Sequence, residues 1–256
     1  MTSFRLIGPG RAGRSLATAL SDAGWELVGM LGPHDDLRSA AHGVGALVIA
    51  TPDSAVAAVS AAVDPSPDTV VLHLAGSLGL DVLDPHPRRA SVHPLVTLPE
   101  PRSGAARLAA GCYFAVAGDP LALEVVAALG GRALAVPDKD RAAYHAAACL
   151  AANHVVALLG QVERVAAGAG VPLAAFMELA RGAVDDVAAV GPARALTGPV
   201  VRGDGATIER HRAVLEPAER PAYDALVELS QRLVEARTAA PPEAAKVPIV
   251  EPAACR

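Results

Sequence analysis

A glycine turn near the start of the chain constrains the fold more than any other feature. Residues 8–13 read Gly-Pro-Gly-Arg-Ala-Gly, a complete G-x-G-x-x-G. The apolar run at 4–7 precedes this turn, and apolar side chains at helical spacing follow it up to Ala23. Strand, glycine turn and helix in this order predict a βα unit that binds a dinucleotide.

Each position of the turn has a separate task in such a site. Gly8 permits the tight turn, Gly10 leaves room for a pyrophosphate, and Gly13 lets the helix pack close to the strand. Arg11 and Ala12 complete a loop whose free N–H groups, together with the positive end of the helix dipole, favour phosphate.

Composition excludes several other classes of protein. The 256 residues carry a formal net charge of -5 and show no basic patch, which argues against nucleic acid as a partner. Cys112, Cys149 and Cys255 are far apart, which suits a reducing cytoplasm and gives no metal-ligand spacing. A strand is expected at once after the start, with no room for a secretory signal.

The most apolar stretch, 142–159, is interpreted as a buried helix of a soluble protein. It carries four polar side chains, Tyr144, His145, Asn153 and His154. A span facing lipid does not hold that many polar groups without cost, so no membrane association is expected.

The chain divides into two parts by its periodicity. Strands are predicted at 4–8, 26–31, 45–50, 69–74, 113–117 and 132–136, with helices at 12–23, 54–63 and 120–129. From Arg141 onward only helices are predicted, at 140–168, 172–188, 205–213 and 219–237. Gly160 in the first of them indicates either a bend or close packing. We therefore expect an α/β Rossmann N-terminal domain (1–138), a parallel sheet with helices on both faces, followed by an all-α C-terminal domain (139–237) and a mobile tail (238–256).

Loops after the strands should line a crevice at the carboxyl edge of the sheet. Thr51, Pro52 and Asp53 form one such loop, in which Asp53 either caps the next helix or faces the ribose or nicotinamide of the cofactor. Gly76 and Ser77 lie in another, where small side chains allow a flat ring to approach the backbone.

Two histidines lie near this edge. His73 is within a strand and is either a hydrogen-bonded core residue or a functional one. His93, beside Pro94 on a predicted loop at 91–95, is a candidate for polarising or protonating a carbonyl oxygen, the alternative being an ordinary surface histidine.

The first helix of the second domain carries further candidates. His145, Cys149 and Asn153 are spaced i, i+4 and i+8 and so share one helix face. We predict catalytic roles for His145 and Asn153, with a structural hydrogen bond as the alternative for the amide. Cys149 is expected to be a small apolar filler.

The segment 195–204 is unusual for a helix connection, because it combines Thr197, two glycines, a proline, Arg202 and Asp204. Arg202 is suited to hold a substrate carboxylate through paired hydrogen bonds, and Thr197 is a further candidate for substrate binding. Asp204 either orients Arg202 and contributes to the substrate site or caps the next helix.

The nucleotide preference depends on the end of the second predicted strand. No acidic residue stands at the tip of that strand, whereas Arg11 and His34 are placed to bracket a 2′-phosphate, which favours NADP. If Asp35 turns back onto the ribose, NAD is favoured instead.

The ordered motifs resemble one family over nearly the whole chain except the tail. They are the glycine loop, Thr51-Pro52-Asp53, residues 73–77, His93-Pro94-Leu95, residues 144–148 through Ala152-Asn153, and Leu196-Thr197-Gly198-Pro199 to Arg202-Gly203-Asp204. This pattern is similar to oxidoreductases that join a Rossmann-like domain to the domain of unknown function 2520, within the 6-phosphogluconate dehydrogenase-type superfamily that includes pyrroline-5-carboxylate and ketopantoate reductases.

The resemblance implies NAD(P)-dependent hydride transfer, a helical second domain and a homodimer formed through it. Ketopantoate reduction in pantothenate synthesis is one activity linked to such relatives. The chain departs from the superfamily pattern in one respect, because the face that often carries a proton-donating lysine has His145, Cys149 and Asn153 instead. The His-Pro-Leu segment is similar to the His-Pro-Met segment of prephenate dehydrogenases.

The sequence therefore predicts a cytoplasmic NAD(P)-dependent reductase of a small carboxylate-bearing carbonyl compound, with no metal. Prephenate dehydrogenase-like or imine-reducing chemistry stays an alternative. A regulatory protein that binds NAD(P) without turnover is a rival from another class. A methyltransferase also has a glycine-rich first loop, but the spacing of the glycines and the helical second domain count against it.

Overall fold

The computed structural model describes residues 2–238 and 249–250. The chain folds as two compact units. Unit 1 runs to Ala152 and includes the short strand at 249–250, and unit 2 begins at Asn153. The observed boundary therefore lies after residue 152 and not at 138 as expected. The helix that starts at Arg141 belongs to unit 1, because that buried arginine packs it on the sheet. Apart from residues 238, 249 and 250, the tail predicted to be mobile at 238–256 lies outside the described residues.

The described elements follow the predicted order closely in the first unit. The strands are β1 Ser3–Ile7, β2 Glu26–Leu31, β3 Ala46–Ile49, β4 Val70–His73, β5 Arg89–Pro94, β6 Tyr113–Gly118, β7 Arg132–Ala135 and β8 Ile249–Val250. The helices are α1 Arg11–Asp22, α2 Asp53–Ala61, α3 Pro101–Leu108, α4 Leu121–Ala128, α5 Arg141–Cys149, α6 Val155–Gly168, α7 Ala174–Val190, α8 Pro192–Ala195, α9 Gly205–Val214 and α10 Arg220–Thr238.

One eight-stranded sheet organises unit 1, in the order β2-β1-β3-β4-β5-β6-β7-β8. The first five strands in this order are parallel, but β5 and β6 are antiparallel, as are β7 and β8. The prediction of a wholly parallel sheet is therefore wrong. The prediction that no strand follows residue 141 is also wrong, because β8 pairs with β7.

Both faces of this sheet are covered, as the strand–helix alternation predicts. Alternate side chains of the central strands enter two separate cores: Leu6, Val48 and Leu72 lie in one, and Leu47 and Val71 in the other. Strands buried on both faces read as nearly continuous apolar runs, which is why β1, β3 and β4 are recognisable in the sequence.

Strand β5 replaces the loop predicted at 91–95. Its sequence, Arg-Ala-Ser-Val-His-Pro, mixes polar and small residues, so hydrophobicity alone does not reveal a strand. Helix α3 was not predicted either, and its Gly104 lies directly on Ser15 of α1. The connection from β5 to β6 thus packs over the helix that follows the glycine turn.

The long helix predicted at 140–168 is interrupted at residues 150–154 rather than at Gly160. A π-helical segment, Leu150–His154, separates α5 from α6. The expectation that 142–159 is buried is wrong for the single chain, since Val156 is 71% exposed. Only the face of α5 that meets β5 is covered, so the other apolar side chains remain accessible.

Among the described residues, one helical stretch, Asp138–Gly168, is long and apolar enough to cross a membrane by length and composition alone. Core helices and signal sequences pass the same test, so the stretch is weak evidence of a span.

Candidate active site at the carboxyl edge of the sheet

The candidate site lies within unit 1, where the carboxyl ends of β1, β3, β4 and β5 meet at one edge. The parallel registers bring Ile7 beside Ile49, Ile49 beside His73, and His73 beside Ser91. The segments that follow these strands, all predicted to line a crevice, therefore leave the sheet side by side.

The glycine turn has the geometry that dinucleotide binding needs. Gly8 has a φ of 88°, and a Cβ there would lie 2.8 Å from the carbonyl carbon of Ala50. A Cβ on Gly13 would lie 2.5 Å from the Gly8 oxygen, so only glycine allows α1 to approach β1 this closely. A Cβ on Gly10 meets nothing within 4 Å, which leaves open space at the N-terminus of α1.

The loop after β3 contributes an unpaired hydroxyl and a carboxylate. Thr51 Oγ1 is buried and has no hydrogen-bond partner among the described residues. Asp53 does not cap α2, which makes no side-chain cap hydrogen bond; its Oδ2 instead accepts from the Ser77 hydroxyl at 2.8 Å. Asp53 and Ser77, two predicted cofactor-binding residues, are thus joined across neighbouring loops.

His73 is a core histidine with both ring nitrogens engaged. It is fully buried, its Nδ1 accepts from the Ala75 N–H at 3.2 Å, and its Nε2 lies 3.1 Å from the Gly79 carbonyl oxygen, to which it donates. Burial lowers its pKa, so the ring is neutral and holds the loop after β4 in place.

Helix α5 is joined to β5 by two side-chain contacts. Arg141 donates from Nη2 to the Ser91 hydroxyl, and the Tyr144 hydroxyl lies 2.7 Å from His93 Nδ1. Ser91 and His93 point to the same face of the strand, about 6.6 Å apart along it, while Arg141 and Tyr144 are one turn apart on the helix, about 4.5 Å along its axis. The two contacts therefore fix the helix on the strand.

The next residue of α5 completes a cluster of three rings. His145 packs edge-on against His93 with ring centroids 5.8 Å apart, and Tyr144 does so at 5.6 Å. Cys149 Sγ lies 4.0 Å from both ring nitrogens of His145. We call His93, Tyr144 and His145 the ring cluster.

Gly76 lies against two rings of the cluster, those of His93 and His145. A Cβ at this position would lie 2.7 Å from His145 Cδ2 and 2.8 Å from His93 Nε2. The small residue predicted to let a flat ring approach the backbone thus does so for two protein rings. No described residue forms a hydrogen bond with His93 Nε2, and this nitrogen is not sealed from solvent.

The electrostatics keep His93 and Tyr144 uncharged. Burial, reinforced by His145, lowers the pKa of His93 to about 4; Arg141 and His73 act in the same direction, and Asp53 opposes them. Burial raises the pKa of Tyr144 to about 12, against a smaller opposing effect of Arg141. At neutral pH the histidine is therefore neutral and the phenol protonated.

Arg141 holds the positive charge behind the cluster. It alone among the described lysines and arginines is buried, with no exposed surface. Its Nε donates to Asp138 Oδ1 at 3.1 Å, and its buried Nη1 has no partner among the described residues. The guanidinium thus places a positive charge beside Ser91.

Sequence reasoning missed Arg141 and Tyr144. Their partners on β5 are 50 and 51 residues away along the chain, so no local motif reveals the contacts. One signal was present: an arginine, a tyrosine and a histidine at i, i+3 and i+4 form a polar stripe on an otherwise alanine-rich helix.

Unit 2 holds Asn153 and the predicted substrate-binding residues. Asn153 is exposed rather than buried, and it lies in the π-helical segment, whose wider turn breaks the regular spacing from His145. Thr197 and Arg202 are exposed. Asp204 is the N-cap of α9, accepting from the Thr207 N–H at 3.0 Å and the Thr207 hydroxyl at 2.7 Å. These hydrogen bonds lower the pKa of Asp204 and confirm the capping alternative.

The tip of β2 is occupied by a carboxylate. Asp35 Oδ2 accepts from the Gly32 N–H at 2.7 Å, so this side chain does turn back toward the strand end. Arg11 and His34 are exposed. Arg14 folds over the glycine turn, its Nε donating to the Pro9 oxygen at 2.7 Å.

Within the described ranges, no group of three or more His, Cys, Asp or Glu is arranged to hold a metal ion. Cys112 and Cys149 are free thiols, and Cys255 lies outside the described residues.

Solved structures share this fold at low sequence identity. The candidate NADP oxidoreductase BF3122 of Bacteroides fragilis superposes with a TM-score of 0.74 at 18% identity, covering 90% of this chain and 98% of its own. Protein TM1727 of Thermotoga maritima superposes with a TM-score of 0.69 at 23% identity, covering 91% of this chain and 99% of its own. Plasmodium falciparum pyrroline carboxylate reductase, solved with NADP bound, superposes with a TM-score of 0.59 at 12% identity, covering 91% of this chain and 98% of its own. At these identities the likeness establishes the fold.

A search of curated proteins finds no match. A family model described as Domain of unknown function (DUF2520) matches residues 112–230. That range contains the motifs at 144–153 and 196–204, so the likeness to the domain of unknown function 2520 that was stated from the sequence is confirmed over these residues.

Proposed function

We propose that this protein is an NAD(P)-dependent oxidoreductase that reduces a small carboxylate-bearing carbonyl compound. The observation that carries the proposal is the ring cluster at the same sheet edge as the glycine turn. Neutral hydrogen-bond donors beside a dinucleotide site are what a hydride acceptor needs, because negative charge develops on its oxygen as the hydride arrives.

The residues at the glycine turn fit a dinucleotide. The open space at Gly10, the N-terminus of α1 and the unpaired Thr51 hydroxyl offer room and donors for the pyrophosphate and its neighbours. The nicotinamide is assigned to the loops holding Thr51 to Asp53 and Gly76 to Ser77. When bound, this cofactor supplies the hydride.

NADP is the proposed form of the cofactor. Support comes from the relatives named for NADP and from Arg11 and His34, two exposed side chains near the glycine turn and the β2 tip. One observation favours NAD as the second candidate: Asp35 places a carboxylate at the β2 tip, where it attracts ribose hydroxyls and repels a 2′-phosphate.

His93 is the proposed partner of the substrate oxygen. Because its pKa is lowered to about 4, it acts as a neutral donor through a ring N–H rather than as an imidazolium. His145 contacts the same ring and shapes the space beside Gly76.

The substrate assignment rests on unit 2 and on its motifs. Arg202 is proposed to bind the carboxylate, Thr197 to assist it, and Asn153 to orient the carbonyl group. Both carboxylate oxygens of Asp204 are engaged by Thr207, which supports a structural role for that residue. Ketopantoate, a small 2-oxo acid, is the first substrate to test.

Imine reduction is a second candidate, favoured by the likeness to a pyrroline carboxylate reductase. It needs the same hydride donor. Cyclohexadienyl substrates of the prephenate type form a third group, suggested by the His93-Pro94-Leu95 segment.

The test is oxidation of NADPH and NADH at 340 nm with a panel of 2-oxo acids that includes ketopantoate, and with cyclic imines. Turnover with one class identifies the reaction, and Arg202→Ala should then raise KM strongly while NADPH binding is unchanged. Dinucleotide binding by fluorescence without turnover on any class would replace the proposal with a regulatory, non-catalytic protein.

We further propose that a second copy of this chain covers the helical unit, giving a cytoplasmic homodimer. An apolar groove of about 450 Å³ in unit 2 is lined by side chains that include Val162, Phe176 and Val214. Leu179 and Val184 of α7 are 72% and 64% exposed. Val184→Glu should convert the dimer to a monomer in analytical ultracentrifugation. A wild-type protein that itself sediments as a monomer would refute the assignment.

A further inference from the structure

The Tyr144–His93 pair has a geometry that assigns a direction to its hydrogen bond. The Tyr144 oxygen lies 2.7 Å from His93 Nδ1, and no other described residue forms a hydrogen bond with this hydroxyl. If Nδ1 carried the proton and donated, the hydroxyl hydrogen of a half-buried tyrosine would have no acceptor. If the hydroxyl donates, both groups are satisfied.

A donating hydroxyl also fixes the state of the opposite side of the ring. With Nδ1 accepting, the single proton of the neutral imidazole is on Nε2. This is the nitrogen beside Gly76 that has no hydrogen-bond partner among the described residues and is not sealed from solvent. The ring therefore presents an N–H, and not a lone pair, to whatever enters this space.

We propose that Tyr144 is a positioning residue that sets His93 in the Nε2–H tautomer and replaces the proton that His93 gives to substrate. The proposal rests on the proposed reductase function. As the hydride arrives at the substrate carbon, the Nε2–H bond breaks and its proton joins the substrate oxygen. The Tyr144 O–H bond breaks in turn, and an N–H bond forms at Nδ1.

The proton balance closes with solvent. The ring stays neutral as it gives one proton to the substrate and takes one from Tyr144. Nε2 then takes a proton from solvent water while Nδ1 returns its proton to the phenolate, which restores the starting tautomer. Arg141, whose charge favours the phenolate, lies one helical turn from Tyr144 on α5. The lowered pKa of His93 is consistent with a donor that never needs to become an imidazolium.

The helical unit supplies a matched control. The Tyr223 hydroxyl lies 2.8 Å from His211 Nδ1, with ring centroids 6.0 Å apart, against 2.7 Å and 5.6 Å in the ring cluster. Tyr144→Phe and Tyr223→Phe therefore remove the same kind of hydrogen bond, one inside the proposed site and one outside it.

The first measurement is the ¹⁵N NMR spectrum of the histidine rings in the full chain, with His93 assigned by His93→Gln. We expect wild type and Tyr223→Phe to show His93 with Nε2 protonated, and Tyr144→Phe to show a mixture of tautomers. A wild-type ring protonated at Nδ1, or a tautomer that Tyr144→Phe does not change, would overturn the proposal. This measurement needs no turnover, so it decides even if no substrate is found.

The second measurement separates this proposal from the function itself. With an active substrate, Tyr144→Phe should lower kcat at least about tenfold with the Kd for NADPH unchanged, and a curved dependence of rate on the D₂O fraction should become linear. Equal rates in wild type and Tyr144→Phe would reject the proton relay while the reductase function stands. Loss of NADPH binding in wild type would reject the function and not the tautomer.

Discussion

Two glycines of the same turn should respond to alanine in opposite ways. Gly13 is surrounded by protein: an added Cβ meets the Gly8 oxygen at 2.5 Å, Ala50 Cβ at 3.0 Å and Leu6 Cδ2 at 3.2 Å. Gly10 faces open space and has a φ of -75°, which alanine adopts readily. Gly13→Ala therefore perturbs the fold, and Gly10→Ala perturbs only what binds there.

The magnitudes follow from these contacts. The closest neighbour of the Gly13 Cβ is a backbone atom, which cannot rotate away, so α1 must move off β1 at an overpacking cost of about 1–3 kcal/mol. For a chain of this size that lowers Tm by roughly 2–12 °C. Gly10→Ala loses a favourable N-cap residue of α1, which costs about 0.5–1 kcal/mol.

Thermal unfolding followed by circular dichroism, together with NADPH fluorescence titration, distinguishes the two variants. We expect Gly13→Ala to lose stability, and Gly10→Ala to keep nearly all of it while its Kd for NADPH rises at least about tenfold, because a methyl group takes the place of a phosphate oxygen. A Gly10→Ala protein that binds NADPH as wild type does would refute the placement of the cofactor at this turn.

The remaining predictions concern the site and the β2 tip. Gly76→Ala should displace the His93 and His145 rings and abolish turnover, as an activity assay will show. Arg141→Met should raise the His93 pKa in an NMR titration, because the positive charge that opposes protonation is gone, and should change stability by less than about 1.5 kcal/mol, since Asp138 is left half-exposed rather than buried. Asp35→Asn should raise the NADPH-to-NADH affinity ratio severalfold by removing a like charge; an unchanged ratio would place the 2′ position elsewhere. Since the His93 pKa falls from 6.5 to about 4 on folding, the unfolded state binds the extra proton, so stability should decrease by no more than about 3 kcal/mol as pH falls from 6.5 to 4. Denaturant titrations of wild type and His93→Gln across that range would check this, and equal slopes would contradict it.

The sequence predicts those parts of the site that local backbone geometry dictates. Gly8 is recognisable because its positive φ favours glycine, and Gly13 because the close approach of α1 to β1 leaves no room for a Cβ. Both requirements fall within six consecutive residues of the sequence. The buried strands β1, β3 and β4 are recognisable for a different local reason, their nearly continuous apolar sequences. Strand β5 is not, since its burial comes from neighbours on both sides and not from its own composition.

The ring cluster was only half predictable. His93 and His145 stand out as unusual residue types, but the pairing of Tyr144 with His93 and of Arg141 with Ser91 depends on how α5 lies on β5. Contacts between residues that far apart leave no periodic signal. The π-helical turn after α5 similarly depends on tertiary packing, which is why the expected alignment of Asn153 with His145 failed.

The absence of a lysine from α5 has a physical interpretation in this arrangement. An active-site lysine supplies a positive charge and a transferable proton from one atom, so its pKa must lie near the working pH. Here the two tasks belong to different side chains: Arg141 supplies the positive charge, and the His93–Tyr144 pair supplies protons without forming an imidazolium. On the proposed function, the reduction rate should therefore show no ionisation of the proton donor between its two limits, about pH 4 for His93 and about pH 12 for Tyr144. A lysine-dependent reductase would lose its acid within that range, because the lysine deprotonates there. A rate that stays constant over the range would therefore follow from assigning the positive charge and the transferable proton to different side chains.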